Sequence, residues 1–421
     1  MRIDDAVITG GMLEERLKEE RTLEVRPQAK LTPSALDYVR AHGIEVVRRE
    51  ALAPGTPGTP APVAGGGSAA SAVPAGEAAG SGGGRAPASG GSAATAARQG
   101  QRRAFRGIFC PNIVILDDAG RISYGEMERY IDWLIQAGIH GLYPNGSTGE
   151  FVRLSWEERQ EVVKLICTVN AGRVPVLAGA SEANLRDVLR MTEYYATVGV
   201  DAISLVAPYY YKVSEKSLFQ YFAEIATESP LDILLYNIPQ FTQELTLQMM
   251  ESLLPYERIF GTKDSSRDLP RLTNTMHRLR RQRPDYVVLV GCEEILFPSV
   301  IMGASGGTIA TSGIIPEVIV EIYQRALAHD VERGRDLQYR VLDLINLMLL
   351  GVNFPEGFKT GVAVRGFRVG PPRQVMSDEE RDYLLRLEAQ IGCILSDMGY
   401  AVQGARACPV THLPRIVGGA A

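Results

Sequence analysis

Residues 232–239 read DILLYNIP, and residues 258–266 read RIFGTKDSS. Each stretch contains a short apolar run without polar alternation, and polar residues follow where the run ends. A run of this kind is typical of a strand that is buried on both faces, as in a parallel sheet. The segment between the two stretches has the amphipathic spacing of a helix. Together they predict one strand–helix–strand unit of a parallel sheet.

The same unit recurs on both sides along the chain. Six further apolar runs of strand length are GIFC (107–110), HGLYPN (140–145), VPVLAGA (174–180), DAISLVAP (201–208), YVVLVG (286–291) and GGTIATS (306–312). Ser155 with Glu158, and Ser377 with Glu380, have the spacing of capping boxes at helix starts. Eight strands alternating with eight helices predict an α/β fold, a (β/α)8 TIM barrel. We assign the barrel to residues 104–330, additional C-terminal helices to 331–398 and a tail to 399–421.

A stretch of unusual composition precedes the barrel. Residues 51–100 contain 16 Ala, 13 Gly, 6 Pro and 5 Ser, and they include no aromatic residue. Such a segment buries too little apolar surface to offset the entropy lost on ordering. We therefore predict a flexible linker over residues 51–103.

Residues 1–50 form a small N-terminal segment with helix and strand signals. Thr32 and Pro33 are typical of an N-cap and a first helical position, and residues 44–47 have the pattern of a short strand. The apolar stripe of the predicted helix consists of Ala35, Leu36 and Val39. Two interpretations stay open: a disordered extension with one nascent helix, or a docking or targeting segment on a tether. Residues 31–47, LTPSALDYVRAHGIEVV, resemble N-terminal segments of some enzymes of bacterial microcompartments.

Composition excludes several classes of protein. No apolar run of the 421 residues approaches the ~20 needed to cross a bilayer, and the charged N-terminus lacks the apolar stretch of a signal peptide. A net charge of −5 without a basic block argues against nucleic acid as a partner. Five cysteines without a CxxC pair support neither a disulfide framework nor a structural zinc site. We expect a cytoplasmic protein, with enclosure in a bacterial microcompartment as an open alternative.

Lys263 is the strongest candidate for a catalytic residue. Only seven of the 44 basic residues are lysine, and Lys263 alone falls at the end of a predicted barrel strand. Active sites of such barrels lie at the carboxyl ends of the strands. An amine held there against apolar walls loses solvation, which favours the neutral form that attacks a carbonyl. The position therefore predicts a nucleophilic lysine.

Other strand ends carry residues that suit a carbonyl substrate. The turn GSTGE (146–150) offers hydroxyls and backbone N–H groups to an anion. Because it lacks the spacing of a nucleotide-phosphate loop, we expect it to bind a carboxylate. The phenol of Tyr236 is placed to relay protons, or it is only part of the core. Tyr209, Tyr210 and Tyr211 share the same rim, where packing or an interface is the alternative role.

Glu293 and Glu294 open a helix after the seventh strand. They either accept hydrogen bonds from substrate hydroxyls or act as first-turn acids on the helix dipole. Cys292 is interpreted as a small apolar filler, because no histidine lies near it in sequence. No histidine cluster follows a strand end, so we expect no catalytic metal and no cofactor.

The motifs GSTGE, YNIP (236–239) and GTKDS (261–265), in this order and spacing, resemble the pyruvate-dependent class I lyases, the family of dihydrodipicolinate synthase and N-acetylneuraminate lyase. The resemblance covers residues 104–398. It implies that Lys263 forms a Schiff base with a 2-keto acid, that Tyr236 passes protons, and that Tyr210 reaches a partner's site in a homotetramer. The carboxylate and the rest of the substrate would be held by Ser147, Thr148, Gly146, Gly291, Glu293, Glu294 and Thr308.

Two positions depart from branches of this family. Phe241 stands where the synthase branch typically has an arginine for the carboxylate of aspartate semialdehyde. Ala310 replaces a serine that helps sialic acid lyases hold their substrate. We therefore expect an aldolase that joins pyruvate to an aldehyde, or cleaves a 4-hydroxy-2-keto acid smaller than sialic acid.

Three alternatives stay open beside the aldolase. Two are catalytic: a 4-hydroxy-tetrahydrodipicolinate synthase and a 2-keto-3-deoxy sugar acid dehydratase, which uses the same imine but expels hydroxide. The third is a non-catalytic barrel that binds a keto acid and is recruited into a microcompartment or another assembly by residues 1–50. Intact Lys263, Tyr236 and Thr148 speak against it, because a sensor has no need of a proton relay.

Overall fold

The computed structural model describes residues 105–349, 353–400 and 402, and, near the N-terminus, residues 2–3, 7–8, 13, 16–17, 21–27, 29–31 and 33–49. The chain divides into two compact units, Met1–Arg98 and Gln99–Ala421. The predicted linker and most of the predicted tail lie outside the described residues.

The N-terminal unit is a small α/β module. Its elements are β1 (Arg2–Ile3), β2 (Val7–Ile8), β3 (Thr22–Val25), β4 (Lys30–Leu31), α1 (Pro33–Ala41) and β5 (Glu45–Arg48). Strands β1, β3 and β5 form a parallel sheet in that order, and β2 pairs in parallel with β4. The predicted helix start at Pro33 and the predicted strand are confirmed, whereas Thr32 lies outside the described residues.

This module has its own hydrophobic core. The buried side chains that share it are Ile3, Ile8, Leu13, Leu17, Leu23, Val25, Ala29, Ala35, Val39 and Ile44. The interpretation as a disordered extension is therefore wrong for these residues, because strands far apart in sequence bury their side chains together. The predicted stripe is wrong at Leu36, whose side chain is exposed.

The second unit is a closed parallel barrel. Its strands are β6 (Gly107–Cys110), β7 (Gly141–Leu142), β8 (Leu177–Gly179), β9 (Ala202–Leu205), β10 (Asp232–Asn237), β11 (Ile259–Asp264), β12 (Val287–Val290) and β13 (Gly306–Thr308). They follow the order β7-β6-β13-β12-β11-β10-β9-β8, and a parallel bridge between Leu142 and Val176 closes the ring. All eight predicted strands and the barrel are confirmed.

Helices alternate with these strands and continue after them. The barrel helices are α2 (Tyr124–Gln136), α3 (Trp156–Asn170), α4 (Leu185–Val198), α5 (Glu215–Glu228), α6 (Leu247–Leu253), α7 (Leu269–Gln282), α8 (Leu296–Ile301) and α9 (Pro316–Leu327). The additional helices are α10 (Val331–Leu349), α11 (Glu356–Val364) and α12 (Asp378–Asp397). Both predicted capping boxes are present, at the starts of α3 and α12.

A register shift in the sheet sets the direction of the side chains on β11. Ile233 pairs with Ile259, but the next residue, Leu234, pairs with Gly261, so Phe260 is an extra residue on β11. Phe260 packs in the barrel interior with Leu234. An extra residue of this kind re-aims the side chains that follow it. Lys263 consequently points to the same face as its register partner, Tyr236.

Two further findings bear on the expectations from composition. Cys393 is disulfide-bonded, which spacing alone did not predict, because the approach of two cysteines is decided by tertiary structure. Within the described parts of the chain, no helix combines the length and apolarity needed to cross a membrane.

Candidate active site

A cavity of about 120 Å³ lies at the carboxyl ends of the barrel strands. It is lined by Pro111, Ser147, Thr148, Tyr236, Ile238, Gln240, Phe241, Lys263, Ser265, Arg267, Gly291, Cys292, Glu293, Thr308, Ala310, Leu349, Phe354 and Phe358. These residues come from several strand ends and from the additional C-terminal helices. The cavity therefore exists only once the barrel has closed.

Lys263 lies on β11 inside this cavity and is 3% exposed. Its Nζ atom is 4.0 Å from the ring centroid of Tyr236 and 4.5 Å from that of Tyr143. Nζ forms no hydrogen bond or ion pair with the residues that the structure describes. A buried amine that is contacted by ring faces and is not held by a carboxylate is available to a carbonyl compound.

Tyr143 is a neighbour of the lysine that the sequence analysis missed. It is buried on β7's carboxyl side, and its ring meets that of Tyr236 edge-on at 6.5 Å between centroids. Burial raises the pKa of Tyr143, and the nearby phenol of Tyr236 adds to that effect. The only signal in the sequence was its place in the predicted strand HGLYPN.

The GSTGE turn separates into residues that face the cavity and residues that support it. Ser147 and Thr148 line the cavity. Gly146 does not line it: a Cβ atom there would lie 2.4 Å from Cε1 of Tyr143, so the glycine admits this ring. Glu150 adopts a left-handed backbone conformation, with φ of 55°, and turns toward the C-terminal helices.

A buried ionic cluster joins this turn to α11. Lys359 Nζ lies 3.3 Å from Glu150 Oε2 and 3.2 Å from Glu356 Oε1, and Arg153 Nη1 lies 2.8 Å from Glu150 Oε1. Burial raises the pKa of Glu356, against the opposing effect of the Lys359 charge. Lys359 thus differs from Lys263: both are buried, but Lys359 is held between two carboxylates. Its position in the sequence gives no signal of this role, because Lys359 does not follow a strand.

The end of β12 supplies the wall beside Lys263. A Cβ atom on Gly291 would lie 2.0 Å from Ser265 Oγ and 3.0 Å from Lys263 Cε, so this position has no room for a side chain. Glu293 is buried in the cavity wall, and its Oε1 accepts hydrogen bonds from Thr311 N at 3.1 Å and from Thr311 Oγ1 at 3.2 Å. Burial raises the pKa of Glu293.

Two neighbours of Glu293 have other surroundings. Burial raises the pKa of Cys292 to about 12, which keeps its thiol protonated and agrees with its interpretation as a filler. Glu294 is not among the cavity residues, and its Oε1 accepts a hydrogen bond from Arg267 Nε at 3.1 Å. The structure therefore brings Glu293, but not Glu294, to the cavity.

Thr308 and Ala310 also line the cavity, whereas Tyr210 does not line it. Thr308 is 1% exposed, and its Oγ1 finds no hydrogen-bond partner within the described part of the chain. Tyr210 is 88% exposed and stacks edge-on against Tyr211 at 4.7 Å between centroids. Within one chain, Tyr210 is separate from the other predicted site residues.

Polar residues next to the catalytic candidates fix the loops around them. Asn237 Nδ2 donates to Asp264 Oδ2 at 2.9 Å, and its Oδ1 accepts from the backbone N–H of Leu245 at 3.0 Å. Asp264 Oδ1 accepts from the backbone N–H of Ser266 at 2.9 Å. These bonds hold the residues after β10 and β11, which carry Tyr236 and Lys263. Asn237 and Asp264 stand in the motifs YNIP and GTKDS, directly after Tyr236 and Lys263, so the motifs contain this supporting pair as well as the reactive side chains.

Among the described residues there is no group of three or more His, Cys, Asp or Glu side chains that could hold a metal ion.

An amine buried among tyrosines at the carboxyl end of a closed parallel barrel is the arrangement of class I lyases, which work through an imine to lysine. A sequence profile of the dihydrodipicolinate synthetase family matches residues 104–393. The chain therefore belongs to the dihydrodipicolinate synthetase family, and it is a lyase of the aldolase type.

Individual relatives agree with this assignment. The 4-hydroxy-tetrahydrodipicolinate synthase of Methanopyrus kandleri is 34% identical over 280 residues, which cover 65% of this chain and 91% of the relative. The putative 2-dehydro-3-deoxy-D-gluconate aldolase YagE of Escherichia coli is 29% identical over 297 residues, covering 69% and 98%. The crystal structure of YagE in complex with pyruvate superimposes with a TM-score of 0.65 at 28% identity, covering 70% of this chain and 99% of YagE.

Proposed function

We propose that this enzyme is an aldolase that joins pyruvate to an aldehyde, or cleaves the corresponding 4-hydroxy-2-keto acid. The amine of Lys263 attacks C2 of pyruvate, and loss of water gives an imine. The protonated imine withdraws electrons, so C3 loses a proton and becomes an enamine. The enamine attacks the aldehyde, and hydrolysis of the new imine releases the product and restores the amine.

The observation that carries this proposal is the setting of Lys263. Its amine is buried in the cavity, faces the rings of Tyr236 and Tyr143, and has no carboxylate partner in the described residues. Ring faces stabilise a cation by about 0.5–2 kcal/mol, which suits the protonated imine. A lysine with a purely structural role would be paired, as Lys359 is.

The remaining cavity residues are assigned roles by their positions. Tyr236 passes protons between the lysine and the substrate oxygens. Ser147 and Thr148 hold the carboxylate of the keto acid, and the unpartnered hydroxyl of Thr308 is available to the same substrate. Glu293 accepts a hydrogen bond from a substrate hydroxyl.

The other predicted site residues act indirectly. Gly146 and Gly291 keep space for Tyr143 and Lys263, respectively. Glu294 orients Arg267 through its hydrogen bond to Nε. Tyr210, exposed in one chain, completes the site of a partner subunit in a homotetramer.

A second candidate is 4-hydroxy-tetrahydrodipicolinate synthase, the name of the Methanopyrus kandleri relative at 34% identity. The observation against it is Phe241, which lines the cavity where an arginine would pair with a second carboxylate. An apolar ring offers no charge-assisted hydrogen bond. The aldolase agrees with the name of YagE, a putative 2-dehydro-3-deoxy-D-gluconate aldolase whose crystal structure is a complex with pyruvate.

Borohydride trapping tests the proposal. Purified protein is mixed with pyruvate and sodium borohydride, digested, and mapped by mass spectrometry, beside a Lys263→Ala variant. We expect a reduced pyruvyl adduct on Lys263 that the variant lacks. A folded protein without an adduct would contradict the imine mechanism and restore the binding-only alternative.

The N-terminal unit is proposed to dock the enzyme into a larger assembly, such as a bacterial microcompartment. Support comes from its separate core and from the resemblance of residues 31–47. Deleting residues 1–103 and following the partition of the barrel in cells tests the docking role. Unchanged partitioning would show that the unit does not direct the enzyme.

A further inference from the structure

A second, outer chamber adjoins the cavity that contains Lys263. Its volume is about 410 Å³. Ser147, Ile238, Phe241 and Phe354 line both spaces, so the two meet at these four residues. A substrate that is bound to Lys263 through its keto carbon can therefore extend into the outer chamber.

The walls of this outer chamber are mainly apolar. The residues that form its apolar walls are Phe151, Val152, Val206, Tyr209, Ile238, Phe241, Phe354 and Pro355. Two ring pairs stand in it: Phe151 meets Tyr209 edge-on at 6.0 Å, and Phe241 lies at 6.1 Å from Phe354. An apolar cavity of about 150 Å³ is enough to bind benzene in another protein. The outer chamber is therefore large enough for an aromatic ring.

The charged side chains of the chamber and the amide nitrogen of Asn353 are already bonded to the protein. Arg153 Nη1 donates to Glu150 Oε1 at 2.8 Å and to the carbonyl oxygen of Phe354 at 3.1 Å. Asn353 Nδ2 donates to Glu380 Oε1 at 3.1 Å. A polyhydroxylated chain would find these groups occupied and would replace only part of its bonds with water, and this exchange is unfavourable.

Among the residues that the structure describes, the chamber also offers no free cation to a second carboxylate. Its one arginine, Arg153, is paired with Glu150, which is itself held by the ammonium of Lys359. At the junction of the two cavities stands the ring of Phe241. A carboxylate drawn into this space would lose hydration without gaining an ion pair.

We propose that the outer chamber holds the aldehyde-derived part of the substrate, and that this part is aromatic or otherwise apolar. The inference rests on the proposed aldolase function and names its acceptor class. C3 of the pyruvate enamine forms a bond to the aldehyde carbon, and the aldehyde oxygen takes a proton to become the C4 hydroxyl. Water then hydrolyses the imine, which frees the amine and a 4-aryl-4-hydroxy-2-keto acid. No electrons are gained or lost overall.

The test compares three acceptors with the full chain and pyruvate: benzaldehyde, glyceraldehyde and succinic semialdehyde. One methylene group in an apolar pocket changes the ratio of kcat/KM between two substrates by roughly 10–200-fold. We therefore expect kcat/KM for benzaldehyde to exceed the values for glyceraldehyde and succinic semialdehyde by roughly tenfold or more. Equal or better use of glyceraldehyde or succinic semialdehyde would overturn the inference.

A variant at the junction sharpens the comparison. Phe241→Arg introduces a free guanidinium beside the chamber, so we expect the ratio of kcat/KM for benzaldehyde to that for succinic semialdehyde to fall by roughly tenfold or more. Leu327→Arg is the matched control, because Leu327 is an exposed apolar residue at the end of α9 and lines neither cavity. An unchanged ratio in a folded Phe241→Arg variant would contradict the role of this wall.

Borohydride trapping on the same samples separates the two proposals. A pyruvyl adduct on Lys263 without the benzaldehyde preference removes only the acceptor class and leaves the aldolase standing. Absence of the adduct removes both, because the outer chamber is then no part of an aldol reaction.

Discussion

Tyr236 and Lys263 pair directly across β10 and β11, and Lys263 Nζ lies 4.0 Å from the centroid of the Tyr236 ring. The parallel ladder thus sets the distance between the proposed proton relay and the proposed nucleophile, without any help from a flexible loop. Asn237 and Asp264, the next residues on the two strands, are bonded to each other at 2.9 Å. The pair is therefore held by backbone register and by a side-chain hydrogen bond.

The first prediction concerns the hydroxyl of Tyr236. A Tyr236→Phe variant keeps the ring beside Lys263 but removes the proton-transfer group. We expect kcat/KM to fall by roughly 10²–10⁴-fold, as is usual for loss of a general acid–base, while the borohydride adduct still forms. Tyr143→Phe is the control: its ring also contacts Nζ, yet Tyr143 does not line the cavity, so a loss of about tenfold or less is expected. Equal losses in the two variants would contradict the relay.

The second prediction uses the glycine beside the lysine. The Cβ atom of a Gly291→Ala variant would approach Ser265 Oγ to 2.0 Å and Lys263 Cε to 3.0 Å, so the lysine side chain must move. A displacement of about 1 Å costs roughly 10²-fold in rate, and we expect a loss of kcat of that order. Gly125→Ala serves as a control, because a Cβ atom there meets nothing within 4 Å. Full activity of a folded Gly291→Ala variant would show that this wall does not position Lys263.

The third prediction concerns the ionic cluster of Lys359. A Lys359→Met variant leaves Glu150 and Glu356 buried without their shared cation, and such a loss destabilises a protein by about 3–5 kcal/mol. Denaturant unfolding measures the change. The double variant Glu356→Gln with Lys359→Met is expected to recover part of it, because the buried charge of Glu356 is then removed while Glu150 keeps its ion pair with Arg153. The cluster would be dispensable if the single variant unfolded like the wild type.

The fourth prediction is a pH dependence of stability. Burial raises the pKa of Glu293 above its ordinary value of 4.5, so the folded state binds its proton more tightly than the unfolded state does. This contribution is fully present below pH 4.5 and is lost as the pH rises through the folded-state pKa. A Glu293→Gln variant lacks this loss, so its Tm relative to wild type should increase between about pH 4 and pH 8. Parallel Tm curves for the two proteins would show that Glu293 does not titrate in this way.

The fifth prediction tests the independence of the barrel. The family match begins at residue 104, and the N-terminal unit has its own core. A chain that starts at residue 104 is therefore expected to keep kcat/KM within about twofold of the full chain, as a domain that folds alone would. Activity assays and thermal unfolding of the two chains check this. A truncated barrel that fails to fold would show that the two units depend on each other.

The sequence by itself determined the barrel and the principal members of its candidate site. Strands buried on both faces need unbroken apolar runs, so all eight were visible as runs, and the carboxyl-end rule then selected Lys263, Tyr236, Ser147 and Thr148. The order of the three motifs indicated the family, since each motif lies at the end of a predicted strand. A short sequence pattern is sufficient to predict these features, because burial of a strand and position at its carboxyl end are both determined by neighbouring residues.

Only the tertiary structure decided the surroundings of these residues. The extra residue Phe260, which directs Lys263 inward, is defined by pairing with another strand, and a single strand does not reveal it. In the sequence, Tyr143 and Lys359 do not differ from ordinary core and helix residues. Their contacts with Lys263 and with Glu150 exist only in the closed barrel. The outer chamber likewise joins Phe151, Phe241 and Phe354, which lie on separate segments. Burial and contact depend on which distant segments pack together, and that is a property of the closed fold.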